Sequence, residues 1–377
     1  MEAKQNVERE FQFILDCCKS FSFYNAKSQF ESIKVPESLN EETLYLLLQR
    51  HRILPLVSLF ILNSNLFSES FKKSINVEFS SNQLLALKNK RFEFLFEEFL
   101  VTFNIFGFAF KGLSLANDYY GDIAMRQVYD VDLYVEQSSL QKAHEWLLDL
   151  GYREHIGYSK LTTLQKKYIV STGHDLSYFT DDKNLPALVE LHWRLKEGLG
   201  GFSLEPKGKL NQVDEFLYLC VHGTEHAWFR LKWLCDILQI IKYREFDWDE
   251  VRERAVELNC TTHLSITWLI LNRFFQNQIP SQILNQIDKK HYKSKINFIS
   301  EVIFLDVPYR TSRIGKLKHL MFLTSLNAKK IRLINFSKYL TSHNDWELIK
   351  VPDFLFFVYF LLRPFLWIYR GLLALFR

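Results

Sequence analysis

Residues 108–135 read FAFKGLSLANDYYGDIAMRQVYDVDLYV and decide the fold of the chain. The pattern predicts a short apolar strand, a turn, a helix, a loop and a second strand. In that second strand Asp130 and Asp132 flank Val131, and side chains two residues apart in a strand point to the same face. Two carboxylates this close repel each other, so Mg²⁺ or Mn²⁺, which prefer oxygen ligands, would stabilise the pair. Neutralising either aspartate should leave the fold intact, with an unchanged or raised melting temperature.

The turn between the first strand and the helix contains Lys111 and Gly112. A glycine lets the backbone approach a ligand closely, and the helix start that follows offers unpaired N–H groups to a phosphate. Arg126 adds a fixed positive charge four residues before Asp130. The segment therefore combines features suited to a phosphate and to a divalent cation.

This combination resembles the nucleotidyltransferase fold of the DNA polymerase β superfamily, and more narrowly a bacterial family of uncharacterised nucleotidyltransferases. The residues that carry the resemblance are Lys111, Gly112, Arg126, Asp130, Asp132 and Leu133. One departure lies at the turn, where the superfamily usually has Gly-Ser or Gly-Gly. Here Leu113 follows Gly112, and Ser114 comes one place later.

A third carboxylate is expected on a later strand. Residues 174–179 and 187–195 alternate well enough to pair across the turn at residues 181–184, and Glu190 and His192 then share one face. The resemblance implies that Glu190 joins the aspartate pair as a metal ligand, whereas periodicity alone equally allows a surface residue. His192 would orient Glu190 or contact a phosphate, with a structural histidine as the alternative.

His222 and His226 lie four residues apart in a predicted helix that begins near residue 213. This spacing can bind zinc, but the chain lacks the glutamate of the HExxH motif there, so a metal site is the weaker interpretation. The resemblance extends through this helix and the following Leu-Lys-Trp-Leu-x-Asp segment, and it implies a wall that closes over the nucleotide.

The resemblance implies a metal-dependent transfer of a nucleoside monophosphate from a nucleoside triphosphate, with release of pyrophosphate. The acceptor would be an unidentified small molecule, peptide or glycan with a hydroxyl group. Asp130, Asp132 and Glu190 would be the catalytic residues and the ligands of Mg²⁺ or Mn²⁺. The nucleotide would contact Lys111, Gly112, Ser114 and Arg126. The substrate-binding residues would be His192, His222, His226 and Lys232.

Composition favours an α+β fold in which helices predominate. The chain has 377 residues, 48% of them hydrophobic, with 34 Phe but only 13 Gly and 8 Pro. We expect a small mixed β-sheet of the polymerase β type embedded in N- and C-terminal helical regions. The expected parts are a helical region at 1–106, a catalytic core at 107–200, a second helical region at 201–350 and a tail helix at 351–377. The five scattered cysteines indicate reduced core residues and no disulfide framework.

The charge distribution bears on location and partners. The first ten residues, MEAKQNVERE, lack the apolar core of a signal peptide, so a cytoplasmic protein is expected. Residues 354–376 are mostly apolar, and Arg363, Arg370 and Arg377 recur every seven positions. This pattern is typical of a helix that lies on an anionic membrane surface, at the inner face of the membrane, but a packing helix is equally compatible with it. No specific nucleic-acid partner is expected, since no known DNA- or RNA-binding motif is present.

Two other functions are compatible with an Asp-x-Asp strand. A metal-dependent glycosyltransferase uses the motif to bind a nucleotide sugar, but such enzymes usually place a large βαβ unit before it. Here helices and one short strand precede the motif. The other alternative is a non-catalytic interaction protein that keeps a relic of the site.

Overall fold

The computed structural model describes residues 2–21, 33, 35–36, 39–196, 201–204, 208–276, 279–304, 313–326 and 340–373. Within these ranges the chain forms helices before, between and after five strands, as an α+β fold requires. The strands are β1 (Gly107–Phe110), β2 (Asp130–Val135), β3 (Arg153–Glu154), β4 (Asp175–Phe179) and β5 (Leu188–His192).

The helices fall into three groups along the chain. The first group is α1 (Glu2–Ser20), α2 (Glu41–His51), α3 (Leu54–Asn63) and α4 (Glu69–Phe103). Helices α5 (Gly112–Tyr120), α6 (Leu140–Asp149) and α7 (Thr163–Thr172) connect strands. The last group is α8 (Gln212–Glu225), α9 (Leu231–Tyr243), α10 (Trp248–Glu257), α11 (Thr261–Phe274), α12 (Ser281–Asn285), α13 (Lys289–Ile303), α14 (Arg313–Leu326), α15 (His343–Leu348) and α16 (Val358–Leu373).

The strands form one mixed sheet in the order β1-β2-β5-β4-β3. β2 and β5 are parallel neighbours at its centre, and the other neighbouring pairs are antiparallel. The β2–β5 register places Asp132 directly beside Glu190. The expected mixed sheet is thus confirmed, and its central pairing joins two predicted site residues that lie far apart in the sequence.

The two faces of the sheet have different roles. Val131, Leu133, Val189 and Leu191 point into a core formed with aromatic side chains of α4 and α6. Because side chains alternate along a strand, the intervening residues of β2 and β5 project to the other face. Helices α8 and α9 pack on that other side and contribute to a second, larger core that also includes residues of α1, α2, α3 and β1.

Helix α16, the predicted tail helix, packs against α7 and α15. Tyr359 is completely buried in a cluster with Trp346 and Phe356. Arg363 and Arg370 both form ion pairs with the buried carboxylate of Asp345, so these two arginines point into the protein. The third arginine of the predicted heptad, Arg377, lies outside the described residues. No helix in the described ranges is long and apolar enough to cross a bilayer.

Candidate active site

Asp132, Glu190 and His192 form a cluster at the centre of the sheet. Asp132 and Glu190 are register partners, and His192 lies two residues beyond Glu190 on the same face of β5. One potential ligand atom from each of the three lies within 4.8 Å of the others. The sheet therefore brings together two carboxylates and an imidazole without any contribution from a loop.

Lys111 neutralises the most deeply buried of these carboxylates. Its Nζ donates a hydrogen bond to Asp132 Oδ1 at 2.8 Å, and His192 Nε2 donates to the same oxygen at 3.1 Å. Burial alone would raise the pKa of Asp132, but the Lys111 charge and the His192 hydrogen bond hold that pKa below its usual value. Asp132 is therefore ionised and already paired, in contrast to the mutual repulsion of two aspartates expected from the sequence.

The backbone of Lys111 is strained in the conformation that delivers this ammonium group. Lys111 has φ 56° and ψ −121°, which residues with a Cβ atom rarely adopt. It immediately precedes α5, so the strand-to-helix turn is made by a lysine followed by Gly112. Such strain persists where the surrounding structure compensates for it and is common at functional sites. Here the buried Lys111–Asp132 ion pair is the compensating contact.

Glu190 and His192 have shifted proton affinities. Burial raises the pKa of Glu190, and the nearby Asp132 charge adds to the effect. Burial alone would lower the pKa of His192, but its hydrogen bond to Asp132 and the Glu190 carboxylate 3.7 Å from its Nε2 raise that pKa. The Glu190 side chain keeps about 30% of its surface exposed, more than Asp132 does, so it remains accessible from the cavity. A carboxylate with a raised pKa that faces a cavity is suited to accept a proton.

Asp130 lies on the same face of β2 but in a different environment. It is half-buried, and within the described residues its carboxylate makes no hydrogen bond and no ion pair. Its charge raises the pKa of Arg126 and Lys232, although burial has the larger, opposite effect on both. Asp130 thus lies between the carboxylate cluster and a group of cations.

These residues line one cavity of about 160 Å³. Its wall contains three carboxylates, from Asp130, Asp132 and Glu190, and five cationic side chains. The cations are Arg52, Lys111, Arg126, Arg230 and Lys232. The remaining lining residues are Gly112, His222, His226, Phe229 and Trp233. A wall of mixed charge with an excess of cations suits a polyanionic ligand that arrives with a metal ion.

A larger cleft of about 690 Å³ lies elsewhere, between α11 and α13. Its charged lining residues are Arg273, Lys289, Lys290 and Lys293, without a carboxylate. The smaller cavity is the better candidate for an active site because it combines buried carboxylates, shifted pKa values and a strained backbone.

Arg126 reaches the cavity but makes its strongest contacts with the protein. Its Nε and Nη2 donate to the two carboxylate oxygens of Asp236 at 2.8 and 2.9 Å, and Nη1 donates to the Gly112 carbonyl at 3.3 Å. The pair is almost completely buried, and the Asp236 charge raises the pKa of Arg126 against the effect of burial. This bidentate pair joins the Gly112 turn to α9. A role of Arg126 in nucleotide binding stays a prediction, as does that of Ser114, whose Oγ donates to the Ala109 carbonyl at 3.4 Å.

The predicted substrate wall is formed at the end of α8 and the start of α9. His222 lies in the last turn of α8 and His226 caps it, with ring centroids 4.5 Å apart. Burial, and next the neighbouring His226, lower the pKa of His222, so its imidazole is neutral. The buried Lys232 donates to the Gln127 carbonyl at 3.4 Å. Among the described residues, Asp132, Glu190 and His192 are the group in which three potential metal ligands lie close together. In that part of the chain, His222 and His226 therefore have no third ligand close enough to complete a zinc site.

Arg52 and Arg230 were not among the site residues expected from the sequence. Arg52 is the residue that ends α2, and Arg230 immediately precedes α9, so 178 positions separate them. Helix termini enriched in arginine are common on protein surfaces, and no local pattern indicates that two such ends meet at one cavity. The sequence feature that could have indicated Arg230 is its position two residues before Lys232, which was predicted to bind substrate.

The donor set fits a divalent cation. Glu190 and Asp132 are adjacent carboxylates, and burial together with the Asp132 charge raises the pKa of Glu190, so a cation between them would stabilise both charges. His192 Nε2 donates its hydrogen to Asp132, so the carboxylate oxygens are the ligands that this cluster offers to an ion. The residues therefore form a candidate metal site, with Lys111 as the group that supplies positive charge next to it.

The sequence profile of a family described as uncharacterised nucleotidyltransferases matches residues 37–276. The chain belongs to this family. The match covers the sheet, the cavity and the helices α2, α8 and α9 that close it, and it favours the nucleotidyltransferase over the glycosyltransferase interpretation. The comparisons with curated proteins and with solved structures give no significant match.

Proposed function

We propose that this member of the nucleotidyltransferase family transfers a nucleoside monophosphate from a nucleoside triphosphate to a hydroxyl group of an acceptor. The acceptor is a small molecule, a peptide or a glycan. The observation that carries the proposal is the register of β2 and β5, which places Asp132 beside Glu190 in a cavity that five cations also line. The family match supports the same reaction class.

In the proposed step, the acceptor oxygen attacks the α-phosphorus of the triphosphate. The new oxygen–phosphorus bond forms as the bond between the α-phosphorus and its bridging oxygen breaks, and pyrophosphate leaves with the electron pair. Glu190 accepts the hydroxyl proton, because its carboxylate lies beside Asp132 and keeps about 30% of its surface exposed to the cavity. His192 positions Asp132 through a hydrogen bond and Glu190 through an ion-pair contact, and Lys111 offsets the negative charge that develops at the phosphate.

We further propose that Asp132, Glu190 and Asp130 hold a divalent cation, Mg²⁺ or Mn²⁺. When bound, such a cation stabilises charge on the phosphoryl oxygens and lowers the pKa of an acceptor hydroxyl. Asp130 is half-buried and has no hydrogen-bond partner among the described residues, so its carboxylate can turn toward an ion with little loss.

The direct test is incubation of the purified protein with each α-labelled nucleoside triphosphate, Mg²⁺ or Mn²⁺, and cell extract as the source of acceptor. Wild type should label an acceptor and release pyrophosphate, whereas Glu190→Gln should lose at least about 100-fold in rate, the usual contribution of a positioned base. Glu136→Gln is the matched control, since Glu136 is an exposed carboxylate just beyond β2. Nucleotide binding without any transfer would instead support the alternative of a non-catalytic protein that keeps a relic of the site.

We also propose that the tail helix α16 associates with a membrane surface through its outer face. Leu361, Phe365 and Ile368 recur at helical spacing and expose 66%, 68% and 63% of their surface. The arginines of the same helix pair with Asp345 instead of facing outward. Insertion of apolar side chains between headgroups should therefore dominate the association, with little dependence on salt.

Sedimentation with phosphatidylcholine vesicles tests this proposal. Wild type should sediment with the vesicles, and a triple variant with serine at positions 361, 365 and 368 should stay in the supernatant. The control is Leu84→Ser with Leu87→Ser, two side chains of α4 that are 70% and 61% exposed. Wild-type protein that stays in the supernatant at low and high salt would contradict the association.

A further inference from the structure

Three cationic side chains of the cavity have no carboxylate partner. Within the described residues, no Asp or Glu oxygen lies within 4 Å of the charged nitrogens of Arg52, Arg230 or Lys232, whereas Arg126 is held by both oxygens of Asp236. The Nε of Arg230 is buried and has no hydrogen-bond partner there. Lys232 is buried and the two arginines are half-buried, and the charge of Asp130 acts on them only from beyond ion-pair distance, so an anionic ligand in the cavity would supply the close counter-charge that they lack.

The two guanidinium groups are stacked on aromatic rings. Arg52 Cζ lies 4.4 Å from the ring centroid of Tyr129, and Arg230 Cζ lies 4.9 Å from that of Phe229. Stacking uses the flat face of a guanidinium and leaves the N–H groups at its edge for other acceptors. This is the arrangement in which arginine binds phosphate oxygens in pairs.

Two hydrogen bonds hold the segments of Arg52 and Arg230 together. Arg50 donates to the Phe229 carbonyl at 2.7 Å, and the Leu231 N–H donates to His51 Nδ1 at 3.2 Å. These contacts lie next to both arginines in the sequence, so they join the end of α2 to the start of α9 at the cavity. Preorganised cations of this kind bind an anion without a large loss of side-chain entropy.

The backbone at Arg52 provides a second, independent observation. Arg52 ends α2 in the left-handed conformation, with φ 54° and ψ 46°, where glycine is the favoured residue. An arginine at this position strains the backbone and directs a charged side chain into the cavity. Strain at a position that contributes a charge to a cavity points to a function for that side chain.

The proton affinities of the cations agree with this geometry. Burial, and then the charge of Arg126, lower the pKa of Lys232 to about 7. Burial, and then the charges of Arg52 and Arg50, lower the pKa of Arg230 to about 10. The like charges therefore repel one another, and an anion with two or more charges would relieve that repulsion.

We propose that Arg52 and Arg230 form a binding site for the terminal phosphates of the nucleotide, which become the pyrophosphate that leaves. Lys232 completes the site. The cavity volume of about 160 Å³ is below the roughly 300–1,000 Å³ of sites that enclose a drug-sized ligand, which suits a site for the phosphates alone. The inference rests on the proposed nucleotidyl transfer for the identity of the ligand, but phosphate binding can be measured without it.

The test uses inorganic tripolyphosphate, the full chain and EDTA, with calorimetry as the readout. Wild type should bind, and Arg52→Gly and Arg230→Met should each weaken the affinity about 10- to 100-fold, the loss of a paired arginine–phosphate contact. Glycine at position 52 relieves the left-handed backbone, so the variant should fold at least as well as wild type. Asn104→Gly is the matched control, because Asn104 ends α4 with φ 51° away from the cavity.

The outcomes separate this inference from the proposed function. Tripolyphosphate affinities of both arginine variants within twofold of wild type would overturn the phosphate site, and so would a wild type that does not bind. Normal turnover and an unchanged KM for the triphosphate in both variants would also overturn it while leaving nucleotidyl transfer in place. Loss of tripolyphosphate binding in a protein that transfers no nucleotide would support the site and remove the proposed reaction.

Discussion

Asp130 and Asp132 should respond differently to the same substitution, although they are two residues apart in one strand. Asp132→Asn removes the charge that neutralises Lys111, whose ammonium group lies 2.8 Å from Asp132 Oδ1. The side chains of Lys111 and Asp132 are only 11% and 7% exposed, so water replaces the lost partner only in part. Asp130→Asn removes a half-buried charge that has no described ion pair.

The magnitude follows from burial. Removing one member of a buried ion pair typically costs about 3–5 kcal/mol, and asparagine keeps the shape and one hydrogen-bond acceptor, so we expect about 3 kcal/mol for Asp132→Asn. With an unfolding entropy of about 2.1 cal/mol/K per residue, this loss lowers the melting temperature of a 377-residue chain by about 4 °C. For Asp130→Asn we expect less than about 1 kcal/mol, which corresponds to about 1 °C or less.

The assay is thermal unfolding in EDTA, so that metal binding does not contribute, with Glu136→Gln as the exposed control. Nucleotidyl transfer measured with Mg²⁺ or Mn²⁺ should be lost in both aspartate variants, because both are proposed metal ligands. Activity and stability would then separate at Asp130 and fall together at Asp132. A melting temperature of Asp132→Asn equal to that of wild type would refute the reasoning, since the Lys111 charge would then not depend on this carboxylate.

Three further perturbations have defined outcomes. Arg126→Met breaks the buried pair with Asp236 and should lower the free energy of unfolding by about 3–5 kcal/mol. Adding Asp236→Leu should recover much of that loss in urea titrations, and no recovery would exclude a structural role for the pair. Lys111→Met removes the ammonium partner of Asp132 and leaves only the hydrogen bond from His192, so the melting temperature should fall in EDTA and rise more than that of wild type when Mn²⁺ is added; equal Mn²⁺ responses would contradict this. Burial lowers the pKa of His263 to about 4, so the unfolded state binds more protons than the folded state between pH 6.5 and 4. The free energy of unfolding should therefore decrease as the pH falls through that range, by at most about 1.4 kcal/mol per pH unit. His263→Leu should reduce that slope, and an unchanged slope in urea titrations at pH 4–6.5 would contradict the assignment.

Local periodicity was sufficient for β1, β2, β4 and β5 and for the carboxylates that they carry, but it did not predict β3. The predicted strands at residues 108–110, 130–135 and 174–179 correspond closely to β1, β2 and β4, and the strand predicted at 187–195 ends earlier, at His192. Side chains alternate in any strand, so the common face of Glu190 and His192 could be read without a structure. The family resemblance then supplied the pairing that periodicity cannot give, and the β2–β5 register agrees with it.

Long-range partners required the tertiary structure. Arg126 pairs with Asp236, which is 110 residues away. Arg52 and Arg230 line one cavity although 178 positions separate them, because the end of α2 contacts the start of α9. Local sequence does not predict which of the many Lys and Arg side chains line the same cavity. The strained turn at Lys111, which directs a lysine onto Asp132, also depends on the buried partner that compensates for its backbone conformation.

The tail shows the same division. The sequence alone determined that residues near 360–370 form a helix with apolar and arginine-bearing positions at helical spacing. The spacing of side chains defines which residues share a face, but it does not define which face turns toward the protein. That choice was made by Asp345, a completely buried carboxylate on α15, whose charge has to be neutralised where water is excluded and therefore draws Arg363 and Arg370 inward.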